Sequence, residues 1–282
     1  MNGASIFFLF VYLHLFRGIY YFSAVHKKVW TRGVLILITL IAISFLGYVL
    51  PWGQISYWAV AVITNLFSIT PVIGENLVYW IWGGFSVGAP TLTRFYSLHF
   101  ILPFALTLIV IFHLTFLHKE GSRNSLGLNR NIDKIQFHPY FTIKDLIFIL
   151  VRVTTFLLIR FFYPYILGDS VNNVPANPLQ TPVHIQPEWY FLPSYAILRS
   201  LPRKTTGVIA LAISVSIFFF NPIFKLNFST KFSKTRTLIF RVILSRFFLL
   251  IKLGSLPAEE PYVIIRKLTS IIYFSRIILI NI

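Results

Sequence analysis

The residues that pose the chemical question are two histidines. His99 and His113 lie fourteen residues apart inside an apolar run from Leu92 to His118, long enough to cross a bilayer. An imidazole in hydrocarbon has to be hydrogen-bonded, bound to a metal or neutralised. At about 100° per residue, fourteen steps fall within roughly 40° of whole turns and rise about 21 Å, so both rings share one face at opposite depths. Either histidine alone reads equally well as a satisfied structural residue. Aligned at this interval they point to two stacked cofactors, and iron porphyrin suits the arrangement. It is a large apolar disc that takes axial nitrogens from facing helices and cations for its propionates.

A facing helix with a matching histidine is then required. The N-terminal apolar segment, about Ser5 to Phe22, carries His14, followed three residues later by Arg17. His14 and His113 are therefore expected to clamp one haem, with Arg17 beside a propionate. By the same interval the partner of His99 would fall just before Met1. The next apolar run, Val29 to Leu50, repeats the interval in Gly33 and Gly47. Small residues there let a porphyrin edge approach the backbone, although they also serve ordinary helix packing.

Four motifs then carry a resemblance: Asn2-Gly3-Ala4-Ser5, Gly47-Tyr48-Val49-Leu50-Pro51-Trp52-Gly53-Gln54, Ile81-Trp82-Gly83-Gly84-Phe85-Ser86-Val87 and Pro187-Glu188-Trp189-Tyr190. In this order, over nearly the whole chain, the sequence resembles the cytochrome b family, the membrane core of respiratory complex III, in its mitochondrial or bacterial form. The chloroplast relatives usually have one more residue between the histidines. The resemblance implies two b-type haems, an inner one on His14 and His113 and an outer one on His99 with a ligand from outside this sequence. It also implies ubiquinol oxidation at an outer site and quinone reduction at an inner one, coupled to proton translocation. One electron would pass to a Rieske iron–sulfur protein and the other through the haems. Cytochrome c1, other complex III subunits and membrane lipids are the implied partners, in a dimeric complex of the mitochondrial inner membrane.

Quinol oxidation needs a proton acceptor beside an apolar pocket, and Glu188, in a connector otherwise apolar around it, is the leading carboxylate. Read without the family, it also fits a helix N-terminal charge placed just after Pro187. The resemblance makes Glu188 and Tyr190 quinol-site residues, Tyr48, Pro51 and Tyr195 pocket walls, and Arg94 the outer propionate partner. It assigns His118 and Asp145 to the inner quinone pocket. It also implies eight spans where this sequence holds seven. An upstream start, a split gene or a non-functional fragment would each explain that, and the chain alone is expected to ligate one haem properly and to be inactive in isolation.

The elements that must position these groups follow from composition. Of 282 residues, 56% are hydrophobic and 12% charged, with no cysteine, which describes a polytopic helical membrane protein and excludes disulfides and thiolate sites. The net charge of +17 is interleaved with apolar spans, not gathered into a solvated basic domain, so no nucleic-acid partner is expected. The expected fold is an all-α transmembrane bundle of about seven spans. After the first three, the others are Leu146–Leu167, a span cored on Gly207–Phe220, Leu238–Leu253 and Tyr262–Ile282. Pro51 to Pro90, rich in tryptophan, reads as interfacial amphipathic helices, and the proline-rich connector Val174 to Pro193 cannot be regular helix. Residues 1–200 are expected to form the haem-bundle domain with the quinol connector, and 201–282 the C-terminal helices. Lysines and arginines crowd the loops after the first, third and fifth spans, including Lys27, Lys28, Arg123, Arg130, Lys225 and Lys231, which puts those loops on the inner side.

Two departures from the family pattern stand out. Trp58-Ala59-Val60-Ala61 replaces the usual Trp-Gly-Ala-Thr, and the added methyl of Ala59 is expected to confer tolerance of methoxyacrylate-type inhibitors. Arg241, Arg246, Lys252 and Arg276 lie in or at the edges of the last two spans, where a central cation is costly unless it snorkels or finds a partner. A different class of function, a haem-free proton channel or transporter lined by the histidines, would leave the Gly33 and Gly47 interval unexplained.

Overall fold

Apolar runs punctuated by glycine, proline and charge become ten α-helices in the computed structural model, which describes residues 2–122, 124, 126, 131, 134–223 and 233–280. These are α1 (Asn2–Tyr20), α2 (Lys27–Val49), α3 (Gln54–Asn65), α4 (Gly74–Trp82), α5 (Ala89–Glu120), α6 (Tyr140–Phe162), α7 (Leu192–Leu198), α8 (Lys204–Ser216), α9 (Lys234–Gly254) and α10 (Tyr262–Leu279). No strand occurs among the described residues. Four segments, α1, α2, α5 and Lys204–Ile223, are long and apolar enough to cross a membrane by length and composition. Helices α6, α9 and α10 also coincide with expected spans but carry more cations. The bundle is the all-α architecture that the hydropathy pattern implied. Arg123, Arg130, Lys225 and Lys231 lie outside the described residues.

The histidine-bearing α5 and its glycine-bearing neighbour α2 run antiparallel and pack together along much of their length. Helix α5 starts where Thr91 Oγ1 accepts the Gly88 N–H at 3.1 Å and donates to the Trp82 carbonyl at 2.7 Å. Pro103, four residues beyond His99, removes the N–H that would otherwise bond the His99 carbonyl. Apolar side chains such as Phe100, Phe104 and Leu108 on α5 and Leu146 to Val151 on α6 point outward, as lipid-facing surfaces do.

The main core is built by α1, α2, α7, α9 and α10 around Phe16, Trp30, Leu37, Ile197, Phe247 and Tyr273. Trp30 enters it with its indole N–H bonded to the Phe218 carbonyl at 2.7 Å. A second cluster, with Leu46, Val49, Tyr57, Val60 and Phe95, holds the far end of α2 against α3 and α5.

Three expected boundaries move. The fourth span begins at Tyr140 instead of Leu146 and stops at Phe162 instead of Leu167, because Pro164 keeps Tyr163 out of helical geometry. The proline-rich connector yields to α7 at Leu192, with Pro193 in the first turn, where its missing N–H costs nothing. The fifth span tightens into a 3-10 helix over Ile217–Ile223, which contains Pro222. The cations of the last two spans also sort differently from their sequence positions. Arg241 and Lys252 are exposed, and Arg246 and Arg276 are half-buried. The fully enclosed ones are Arg236 and Arg266. Arg236 donates to the carbonyls of Ile19, Tyr20 and Ile280, and Arg266 to those of Leu253, Leu256 and Pro257. Each guanidinium thus satisfies orphan carbonyls at helix ends.

Candidate functional site

At one end of α5 the His113 Nδ1–H donates to the Val29 carbonyl at 2.9 Å. A proton fixed on Nδ1 leaves the Nε2 lone pair free for a metal. The ring lies against Gly33, where an added Cβ would come within 3.4 Å of His113 Cε1. Across from it stands His14 of α1, with ring centroids 6.5 Å apart and planes at 73°. Two metal–nitrogen bonds of about 2 Å, with about 1 Å from each nitrogen to its ring centre, would separate two axial imidazoles by roughly 6 Å. The pair therefore fits one six-coordinate iron. Arg17, one turn from His14, is exposed with its guanidinium over Tyr21.

The other end repeats the device. The His99 Nδ1–H donates to the Ile43 carbonyl at 2.9 Å, and Ile43 precedes Gly47 by four residues as Val29 precedes Gly33. Here the approach is closer: a Cβ on Gly47 would fall 2.4 Å from His99 Cε1. Arg94, one turn earlier on α5, is exposed and lies over the Trp80 ring.

Beyond Gly47, α2 ends in the Pro51–Gln54 turn, which clasps the distant connector. The Gln54 N–H donates to the Val174 carbonyl and the Ala176 N–H to that of Trp52, while the Gln54 side chain bonds Asn177 N and the Gln180 carbonyl. Asn172 Oδ1 accepts the Ser56 N–H at 2.8 Å at the start of α3. The clasp sets the connector that carries Pro187-Glu188-Trp189-Tyr190. Tyr190 stacks on Phe8 with centroids 4.3 Å apart, and its carbonyl accepts the Tyr12 hydroxyl at 2.5 Å.

Pro187 divides two cavities. On one side is an apolar space of ≈ 380 Å³ lined by Ile41, Phe45, Ile63, Phe191, Tyr195 and Leu211 among others, a volume within the usual range for small-molecule sites. On the other is a polar space of ≈ 500 Å³ bounded by Tyr48, Asp169, Gln186, Glu188 and Ser255. Glu188 is 8% exposed and its Oε1 has no protein partner. Burial, opposed by the positive charge of the amino terminus and the Tyr48 hydroxyl and reinforced by the charge of Asp169, pushes its carboxyl up to about 7. Burial and the Glu188 charge push the Tyr190 phenol up as well.

The structure thus brings His14 to His113 and gathers Tyr48, Glu188, Tyr190 and Tyr195 about the connector. It leaves His118 and Asp145 exposed, on the last turn of α5 and the first turns of α6, and neither lines the two cavities. At that end the residues that meet are His26 and Glu120, at 2.9 Å. Sequence reasoning missed them because the pairing crosses 94 residues. Asp169 was also passed over, its only signal being its place beside Gly168 just ahead of the proline-rich connector.

The fold and site define a multi-pass helical membrane protein in which two imidazoles from different helices face each other. The comparisons give this class its family. Residues 1–121 match the family described as Cytochrome b/b6/petB, and residues 175–274 match Cytochrome b(C-terminal)/b6/petD. A solved chain titled "Hyperthermophilic respiratory Complex III" is 30% identical, with 99% of this chain and 77% of that one covered and a TM-score of 0.91. The chain belongs to the cytochrome b family, and membership implies b-type haem binding in a redox complex of the membrane.

Proposed function

We propose that the chain is the cytochrome b subunit of a ubiquinol:cytochrome c oxidoreductase in the mitochondrial inner membrane. It oxidises ubiquinol at the outer end, reduces quinone at the inner end and moves protons across the membrane as it does so. Rieske iron–sulfur protein, cytochrome c1 and a second copy of the complex are its partners. His14 and His113 hold the inner haem and His99 is a ligand of the outer one, with Arg17 and Arg94 near the propionates. Bound haem supplies one-electron transfer between the two ends.

The observation that carries this reading is the position of Glu188, a buried carboxylate on the polar cavity next to Pro187, which lines both that cavity and an apolar one of ligand size. Quinol bound in the apolar cavity, walled by Phe45 and Tyr195, needs a base that titrates near the working pH. A carboxyl raised to about 7 is matched to that task. At the inner end, His118 and Asp145 act as proton donors to quinone, their exposure giving them access to water. The test is Glu188→Gln in the assembled complex. Quinol oxidation is expected to fall by about 10²-fold with the reduced b-type absorbance intact, and an unchanged rate would refute the assignment.

A further inference from the structure

The repeat that places His99 and His113 is broken beside one of them. Gly33 and Gly47 stand fourteen residues apart on α2, and the residues just before them are Arg32 and Leu46. On α5 the same interval pairs Phe116 with Leu102. At the His99 end Leu46 is buried, and Leu102 packs into the same apolar cluster. At the His113 end the Arg32 guanidinium lies over the Phe116 ring, 3.9 Å from its centroid. An apolar seam at one end is a cation–π pair at the other.

The guanidinium is held where a fixed charge can act on the facing imidazoles. Its Nη1 donates to the Lys28 carbonyl at 2.9 Å, within its own helix. Phe116 lies three residues past His113 on α5, a rise of about 4.5 Å. Gly33, next to Arg32 in sequence, lies against the His113 ring, and the charge of Arg32 acts on that imidazole. No carboxylate of the described residues pairs with Arg32. Glu120, one turn past Phe116, is held instead by His26 at 2.9 Å. Arg32 is half-buried, so solvent and salt screen it less than a surface charge. Lys28 Nζ is 5.5 Å from the centroid of the same ring and adds a second positive charge, but that residue is exposed.

We propose that Arg32 tunes electron transfer at the inner end, its guanidinium fixed on Phe116 beside His113 so that it favours the reduced state of the inner haem. Reduction adds one negative charge at the His14–His113 site, and a nearby cation stabilises that state. Arg32 acts through the field at the site, not by ligation, and it stands on the helix that contributes no histidine. The inference rests on the haem reading above and adds to it a role for α2 beyond packing.

The experiment is a redox titration of the assembled, haem-loaded complex in its membrane. The inner and outer b-type bands are followed separately in wild type, Arg32→Lys, Arg32→Gln, Arg32→Glu and His113→Ala. The Arg32 side chain bonds a carbonyl of its own helix, so its replacement leaves the bond between His113 and Val29 in place. Arg32→Gln is expected to raise the oxidised-to-reduced ratio of the inner haem at fixed potential about threefold, a midpoint about 28 mV lower for one electron. Arg32→Glu doubles the change of charge, so about ninefold is expected, or about 56 mV. Arg32→Lys keeps the inner midpoint close to wild type, and the outer midpoint stays unchanged in all three. Glutamine and lysine decide the question if the glutamate variant does not assemble. A wild-type inner midpoint in Arg32→Gln, or a shift as large in Arg32→Lys, overturns the role of Arg32 alone, provided that His113→Ala has lost the inner band. An inner band that survives His113→Ala overturns the haem reading with it.

Discussion

The two ends of α5 are the same local structure used twice with different tolerances. Each histidine gives its Nδ1 proton to a carbonyl of α2 at 2.9 Å, and each carbonyl lies four residues before a glycine. At the inner end the glycine leaves the imidazole at ordinary contact, whereas at the outer end the ring sits where a methyl would stand. A repeat of fourteen residues on both helices is thus enough to place two equivalent imidazoles, while the detailed fit is set separately at each end. The His99 end is also tied to the Pro51–Gln54 clasp and the two cavities beside Pro187, and the His113 end is not.

The strongest way to break the equivalence is to delete a ligand at one end. His113→Ala should abolish the inner b-type absorbance in the assembled complex and spare the outer signal, and loss of both would show that the ends do not bind independently. Glu188→Gln separates the ends by chemistry: quinol oxidation falls about 10²-fold while the inner haem spectrum stays as it was. In the wild type that rate should decline as pH falls through about 7, because only the ionised carboxyl can accept a proton; a flat profile from pH 6 to 8 would contradict it. The tolerances themselves are compared by Gly47→Ala and Gly33→Ala. The first should cut outer haem occupancy about tenfold and the second inner occupancy by less than about twofold, since overpacking is severe only where nothing can yield. The smallest effect is expected from Asn172→Ala. Losing the bond to Ser56 N should cost about 1 kcal/mol, seen as a lower midpoint of thermal inactivation and a KM for quinol raised a few-fold, with both haem bands unchanged.

What could be read in the chain and what could not divides along physical lines. The histidine and glycine intervals were legible because helical geometry converts spacing into position, and the long apolar runs because lipid demands them. The meeting of His14 with His113 followed from the same geometry once a second histidine helix was found. The end of α6 at Phe162 was overrun because hydrophobicity continues through Tyr163-Pro164-Tyr165-Ile166-Leu167, and the proline decides against the hydropathy. The capping roles of Arg236 and Arg266 were invisible, since a guanidinium that reaches the carbonyls ending another helix has no local pattern. The same holds for the two cavities. Their walls come from α1, α2, α3, α7, α8 and the connector, so Asp169 could be seen opposite Glu188 only after folding.

The clasp between residues 51–54 and 172–180 bears on how the protein is made. His14, His99 and His113 all lie before residue 121, whereas the walls of the two cavities run past the Gly53–Pro175 bridge to Leu211 and Ser255. As the ribosome delivers the N-terminal part first, the three imidazoles are all made well before the last residues of the cavity walls. A nascent chain halted between those points would have all three imidazoles but only part of either cavity wall.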